Sequence, residues 1–284
     1  MITTKGPFIF LFAFALIQLF GGGHGNIKIG AFNMKVFGVS KASNPDVMDV
    51  LVKIILRYNI ILLQEIRDST DTAIQLLLQE VNSRAGKRPF TMKISEKLGR
   101  STSKEQYAFL YRTSSGISIR SSYVYNDNAN DVFEREPFVV HFESTKTDVK
   151  RFALVGIHVK PDDAVNEIAA LSDVIKEVTS HLKERNIIIM GDLNADCSYV
   201  SGSAWTRIPL RQDTKVMWPI GENIDTTTGT TDCAYDRFII SGTKIRKSTV
   251  QGSVRVFRFD TEYNLSITEA LDVSDHYPIE LELI

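Results

Sequence analysis

The chain has 284 residues, with 33 Lys plus Arg against 34 Asp plus Glu and a formal charge of −1. Apolar residues make up 43% and charged residues 24%, which excludes a disordered, collagenous, coiled-coil or multi-spanning membrane protein. The charge balance also excludes the broad basic excess by which many domains hold nucleic acid, so a polyanionic partner must be met by a local patch and metal ions.

The first 25 residues stand apart from the rest. Lys5 precedes Phe8 to Phe20, a run of thirteen residues with Gln18 as its one polar member, and Gly21-Gly22-Gly23-His24-Gly25 follows. This pattern reads as a secretory signal peptide over 1–25, cleaved near Gly23 or Gly25. A signal anchor is the other reading, but thirteen apolar residues fall short of the roughly 20 that span a bilayer. No membrane span is expected. Cleavage removes Lys5, leaving 32 basic against 34 acidic residues and a charge of −2.

Residues 26–284 read as one domain, with no repeat and no low-complexity linker. Ile27, Ile29 and Ala31 alternate in a strand that ends at Asn33. Asn44 can cap a helix with Pro45 at its first position, and apolar residues at 47, 50, 51, 54, 55 and 58 give it a buried face. Ile60 to Leu63 is a buried strand ending in Gln64-Glu65, and 71–82 forms a second amphipathic helix. Strands follow at 90–95, 106–111, 117–125, 137–142 and 151–157. A long helix from Asp163 to Leu182 carries Ile168, Leu171, Val174, Ile175 and Val178 on one face. Ile187 to Met190 is another buried strand, running into Gly191-Asp192-Leu193-Asn194. Strands at 235–241 and 279–283 close the chain, and Ser266 to Glu269 has capping-box spacing for a short helix.

Two cysteines, Cys197 and Cys233, are an even count in an oxidising compartment. One disulfide between them would close a loop of about 37 residues and stabilise by roughly 3.5–4 kcal/mol on the chain-entropy account. Asn264-Leu265-Ser266 is a glycosylation sequon. Asn33, Glu65, His158, Asp192, Asn194, Asp236 and His276 each fall at or beside a strand end, where the crevices of α/β sheets bind ligands.

Read in order, the chain carries Ile29-Gly30-Ala31-Phe32-Asn33, then Leu63-Gln64-Glu65-Ile66-Arg67-Asp68-Ser69. Leu98-Gly99-Arg100, Lys104-Glu105-Gln106-Tyr107 and Arg135-Glu136-Pro137-Phe138 follow. After His158 come Met190-Gly191-Asp192-Leu193-Asn194-Ala195-Asp196-Cys197-Ser198-Tyr199-Val200, Cys233-Ala234-Tyr235-Asp236-Arg237 and Ser274-Asp275-His276-Tyr277-Pro278. In these motifs residues 27–284 resemble the deoxyribonuclease I family of secreted endonucleases. Ser-Asp-His and Gly-Asp-x-Asn recur across a wider phosphoesterase superfamily. The two long cysteine-bearing runs are the more specific.

The resemblance implies an α/β fold of four layers, two packed β-sheets flanked by helices. It implies a cation-dependent endonuclease that cuts DNA with little sequence specificity, leaving 5′-phosphate ends. Such chemistry needs an activated water, stabilised phosphoryl oxygens and a proton for the leaving oxygen. The family pattern pairs His158 with Glu105 and His276 with Asp236 as acid and base, in either order, with Asp192 beside them. Magnesium, or manganese in its place, is expected on Glu65 with Asn33, Asp192, Asn194 and Asp275 nearby. Calcium is expected on Asp225 and Thr227, and at a second site on Asp127, Asp131 and Glu136.

For DNA, Arg67, Arg100 and Arg135 match family positions near the minor groove or phosphates, and Tyr199 and Tyr235 would border the scissile phosphate. Ser101 and Ser103 depart from relatives that carry an amide and an aromatic residue there. Lys93 and Phe138 replace an apolar and a small residue, so actin binding is not expected. A monomer is. The rival readings are a superfamily enzyme acting on sphingomyelin or an inositol phosphate, and a catalytically weak DNA-binding module.

Overall fold

The computed structural model describes residues 26–127 and 130–284. The leader read over 1–25 lies outside them. β1 (Ile27–Phe37) sends Ile27, Ile29 and Ala31 to one side and Phe32 and Met34 to the other, so both faces of this strand are buried. α1 (Val39–Ala42) leads into α2 (Pro45–Leu56), whose N-cap is Asn44: its Oδ1 accepts from Asp46 N and Val47 N at 3.1 and 3.3 Å. β2 (Ile60–Ile66), α3 (Thr72–Arg84), β3 (Thr91–Ile94), β4 (Gln106–Tyr111) and β5 (Ile117–Val124) follow. β6 (Phe138–Ser144), β7 (Arg151–Gly156), α4 (Ala164–Leu182) and β8 (Ile187–Asp192) complete the middle.

The last part holds α5 (Pro209–Gln212), β9 (Val216–Met217), β10 (Asp236–Ser241), α6 (Thr243–Ser248) and β11 (Arg255–Val256). α7 (Phe259–Tyr263), α8 (Ile267–Val273) and β12 (Ile279–Leu283) end it. The expected capping box is formed at α8, where Ser266 and Glu269 bond reciprocally.

The strands make two six-stranded sheets, in the orders β11-β12-β1-β2-β4-β3 and β5-β6-β7-β8-β10-β9. Each sheet has one parallel pair, β1/β2 and β7/β8, bridged by helices that cross the outer face. α2, α3 and α8 cover the first sheet and α4 the second, and the largest apolar cluster between the sheets gathers Ile29, Leu62, Phe109, Phe142, Ile188 and Phe238. The result is helix, sheet, sheet, helix, the expected four-layer sandwich.

Two expectations need correction. β1 does not stop at Asn33: it runs on through a bulge to Phe37, with Lys35 and Val36 at φ 47° and 51°. No glycine marks that turn, so nothing in its composition announces it. Phe138, expected to obstruct a surface, is buried between the sheets with its ring 6.0 Å from Phe109, and it presents no bulk to a partner.

Candidate active site

β1 and β2 run parallel until both slip register, β1 past Asn33 and β2 between Leu63 and Ile66. Such bulges re-aim side chains at sheet ends. Glu65, at φ 57°, swings its carboxylate toward the facing sheet. Its Oε2 accepts from Val36 N at 2.8 Å, so one bulge clamps the other. Its Oε1 accepts from Asn33 Nδ2 at 2.9 Å, and the same amide donates to Asp192 Oδ2 at 3.0 Å. Asn33 therefore joins a carboxylate of each sheet.

In the second sheet, Asp192 ends β8 directly opposite Asp236, which begins β10. His158 lies just beyond β7 and His276 just before β12. His158 Nδ1 meets Glu105 Oε2 at 2.9 Å, and His276 Nδ1 meets Asp236 Oδ2 at 2.8 Å. Each Nε2 then lies 3.5 Å from the same atom, Asp192 Oδ2. The centre is thus a near-symmetric array of carboxylate, histidine, carboxylate, histidine, carboxylate. Asn194, at φ 47°, caps Asp192 Oδ1 through its N–H at 2.9 Å and ties its side chain to Val159 O at 3.0 Å.

The electrostatics follow from burial opposed by neighbours. Burial would raise Glu105, but His158, Arg135 and Arg67 hold it down at about 2. Burial would lower His276, but Asp236 and Asp192 push it up to about 10. Burial would also raise Asp192, and the two histidines keep it below the usual carboxylate range. Asp236 goes the other way, raised by its own complete burial. Atoms of Asp192, Asp236 and His276 that could ligate a metal ion lie within 4.8 Å of one another. Glu65 and half-exposed Asp275 add two carboxylates to this neighbourhood: Glu65 Oε1 lies 4.0 Å from His158 Nε2, and Asp275 Oδ1 3.9 Å from His276 Nε2. More acid than base in one crevice is the donor chemistry of a hard cation site.

The cysteines form the expected disulfide, with Cα atoms 5.9 Å apart. It braces the loop of Asp225 to Thr228 against the His276 strand. Thr226 O accepts from Tyr277 N at 2.7 Å, Thr228 N donates to Asp275 O at 2.9 Å, and Thr226 Oγ1 accepts from Asp236 N at 3.1 Å. Asp225 Oδ1 accepts from Thr227 N and Thr227 Oγ1 at 2.9 and 2.7 Å. In the other expected calcium group, Asp127 and Glu136 share a cleft of about 410 Å³, whereas Asp131 faces Arg100, 3.1 Å from its Nε.

Arg67 and Arg135 both spend donors on Glu105 Oε1, and Arg135 Nε also donates to His158 O at 3.1 Å. They orient the dyad as well as border the crevice. Tyr199 and Tyr235 pack at 5.5 Å, with Tyr235 6.2 Å from the His276 ring.

Four residues escaped the sequence reading. Gln64, fully buried, donates to Ile157 O at 2.7 Å and accepts from Asp192 N at 3.0 Å, stitching the sheets behind the site. An amide ending an apolar strand was its signal. Lys41 donates to Met34 O, Lys35 O and Val273 O at 2.7–2.9 Å, and burial together with Lys35 lowers it to about 8. Ser274 Oγ donates to Asn33 O at 2.7 Å and accepts from His276 N at 3.1 Å. Glu167, at the start of α4, accepts from Glu134 N and Lys160 N at 3.0 and 3.2 Å, and burial raises it to about 7. Nothing in sequence separated it from an ordinary helical surface acid.

Residues 30–276 match the Endonuclease/Exonuclease/phosphatase family, and the chain belongs to it. Within that family it is a deoxyribonuclease I-type member. It is 45% identical to deoxyribonuclease gamma of Mus musculus, covering 90% of this chain and 84% of that one. It is 43% identical to deoxyribonuclease-1 of Bos taurus, covering 91% and 92%. The fold is shared with a humanised D. rerio TDP2 at TM-score 0.62 and 13% identity, covering 91% of this chain and 99% of that one. It is shared too with the human Nocturnin catalytic domain at TM-score 0.61 and 12% identity, covering 92% and 94%.

Proposed function

We propose that the chain is a secreted, divalent-cation-dependent endonuclease that hydrolyses DNA phosphodiester bonds with little sequence specificity, leaving 5′-phosphate and 3′-hydroxyl ends. One observation carries the reading: two histidines, each held through Nδ1 by its own carboxylate, present Nε2 atoms 3.5 Å from one Asp192 oxygen. A histidine fixed in this way has its tautomer set and its free nitrogen aimed at the reacting atoms. One of the pair takes the proton of the attacking water and the other serves the departing oxygen. Glu105 and Asp236 hold them in register, and Asp192 lies between. Named relatives that are deoxyribonucleases support DNA as the substrate.

The acid-rich crevice fits a hard dication. Glu65 would hold magnesium, or manganese in its place, with Asn33, Asp192, Asn194 and Asp275 around it. When bound, the ion offsets charge on the phosphoryl oxygens. Calcium would brace the Asp225–Thr227 loop and the cleft of Asp127 and Glu136, with Asp131 freed from Arg100. DNA would lie along Arg67, Arg100 and Arg135, mainly by its minor groove and phosphates, with Tyr199 and Tyr235 beside His276. The protein would act as a monomer without actin binding, for which exposed Lys93 on β3 is the remaining argument. Residues 1–25 would direct export through the endoplasmic reticulum, where exposed Asn264 could be glycosylated.

Supercoiled plasmid tests the reading. The mature protein should nick it with calcium plus magnesium, lose activity in EDTA, and lose it again as His158→Ala. Folded, disulfide-intact protein that nicks nothing would refute the proposal and direct attention to other phosphodiesters.

A further inference from the structure

Beside His158 opens a channel of about 520 Å³ whose walls carry four cations, Arg67, Arg100, Arg135 and Lys160. The opposing charges are Glu105 and Glu134. In a chain of net charge −1 this is a local concentration of positive charge. Its remaining lining is Ser101 and Ser103. Among the described residues no aromatic or aliphatic side chain lines it, so it has no aromatic platform for a base. Apart from Glu105 and Glu134 it offers donors and cations, the chemistry of phosphate and sugar contact.

Two features bear on what this channel takes up. Arg135 is only 9% exposed, and its second terminal nitrogen, buried behind the channel wall, has no hydrogen-bond partner among the described residues, so its positive charge is incompletely offset within the protein. Among the described residues the Lys160 ammonium pairs with Glu134 Oε2 alone, at 3.3 Å, and its side chain is 42% exposed. The root of Lys160 is fixed, because its N–H donates to Glu167 Oε2 at 3.2 Å and Pro161 follows. Only Val159 separates it from His158, so it leans from the same rim as the reacting centre.

We propose that Lys160 is a substrate-binding residue of this enzyme: the channel takes the phosphodiester backbone flanking the scissile bond, and Lys160 holds one of its phosphates. The proposal rests on the endonuclease reading. As a backbone contact Lys160 contributes affinity and no sequence preference, so its loss weakens all sequences alike.

The test is steady-state plasmid nicking by the mature protein at fixed calcium and magnesium, with KCl varied over roughly 50–200 mM. Lys160→Met should lower kcat/KM and make the slope of log kcat/KM against log[KCl] shallower by up to about 0.9, the loss of one displaced counterion. Turnover at saturating DNA and the cleavage pattern on an end-labelled duplex should be retained, and Lys160→Arg should restore the slope. Lys176→Met makes the same charge change at an exposed site about three turns along α4 and should leave the slope alone. An unchanged slope in Lys160→Met, an equal change in Lys176→Met, or a fall in kcat at constant KM would each overturn the assignment. Wild-type protein that nicks nothing would overturn the endonuclease reading and this proposal together, whereas active wild type with an unaltered slope overturns Lys160 alone.

Discussion

Gln64 joins the two sheets immediately behind the candidate active site, and its removal is a sharp test of how the site is held. In Gln64→Leu the volume is nearly kept, but the buried Ile157 carbonyl loses its donor and the buried Asp192 N–H its acceptor. Each unsatisfied group costs about 1–3 kcal/mol, so the pair should cost about 2–6 kcal/mol. For a chain of this size that lowers Tm by roughly 5–20 °C. Asp192 begins to move as well, and kcat should fall about 10²-fold while KM changes little. Gln64→Glu separates hydrogen bonding from packing. Ionised, it sets a carboxylate against the Ile157 carbonyl and close to Asp192. Protonated, it regains the amide's pattern of one donor and one acceptor. Its deficit in urea unfolding should therefore be large at pH 7.5 and shrink at pH 5, whereas the deficit of Gln64→Leu stays constant. A Gln64→Leu protein within about 0.5 kcal/mol of wild type, with full kcat, would show that the sheets register without this bridge and would sink the reasoning.

Three further outcomes follow from the same geometry. Asp236→Asn keeps the side chain's shape but removes the charge that fixes His276, so kcat should drop about 10²–10⁴-fold with a normal circular dichroism spectrum; retained activity would dismiss the dyad. Cys197→Ser with Cys233→Ser should cost roughly 2–5 kcal/mol, and since the Thr226–Thr228 loop braces Asp236 and Asp275, reductant should abolish nicking before far-UV signal is lost. Glu167 stands at about 7 when folded against an ordinary 4.5, so the folded state binds the extra proton between these values. Its contribution therefore favours folding below pH 4.5 and is lost as pH rises through 7, by roughly 3 kcal/mol at most. The urea midpoint should fall from pH 5 to 7.5 in wild type more than in Glu167→Gln; parallel curves would reject the assignment.

What sequence could reveal divides along a physical line. Features written within a dozen residues were legible: the apolar runs of β2 and β8, the Asn44-Pro45 start of α2, and the Ser266–Glu269 box, because periodicity and capping are local. The dyads were legible only through family motifs. Glu105 and His158 are 53 residues apart in sequence and His276 and Asp236 40 apart. The left-handed Lys35-Val36 turn was hidden because residues that disfavour such φ values carry it, held there by the Lys41 ammonium and the Glu65 carboxylate. The roles of charged residues were least legible of all. Glu105, Glu134 and Glu167 are the same side chain. One orients a histidine, one pairs the channel lysine, and one caps two backbone N–H groups beneath the channel. Their differences lie entirely in what the two sheets and α4 bring against them. The same holds for Arg67 and Arg135, which motif matching aimed at DNA and the fold first commits to Glu105. An arginine so held contributes a fixed charge rather than a flexible arm, and mutating it should disturb His158 as well as affinity. A fall confined to affinity in Arg135→Lys would mean that Glu105 does not need it.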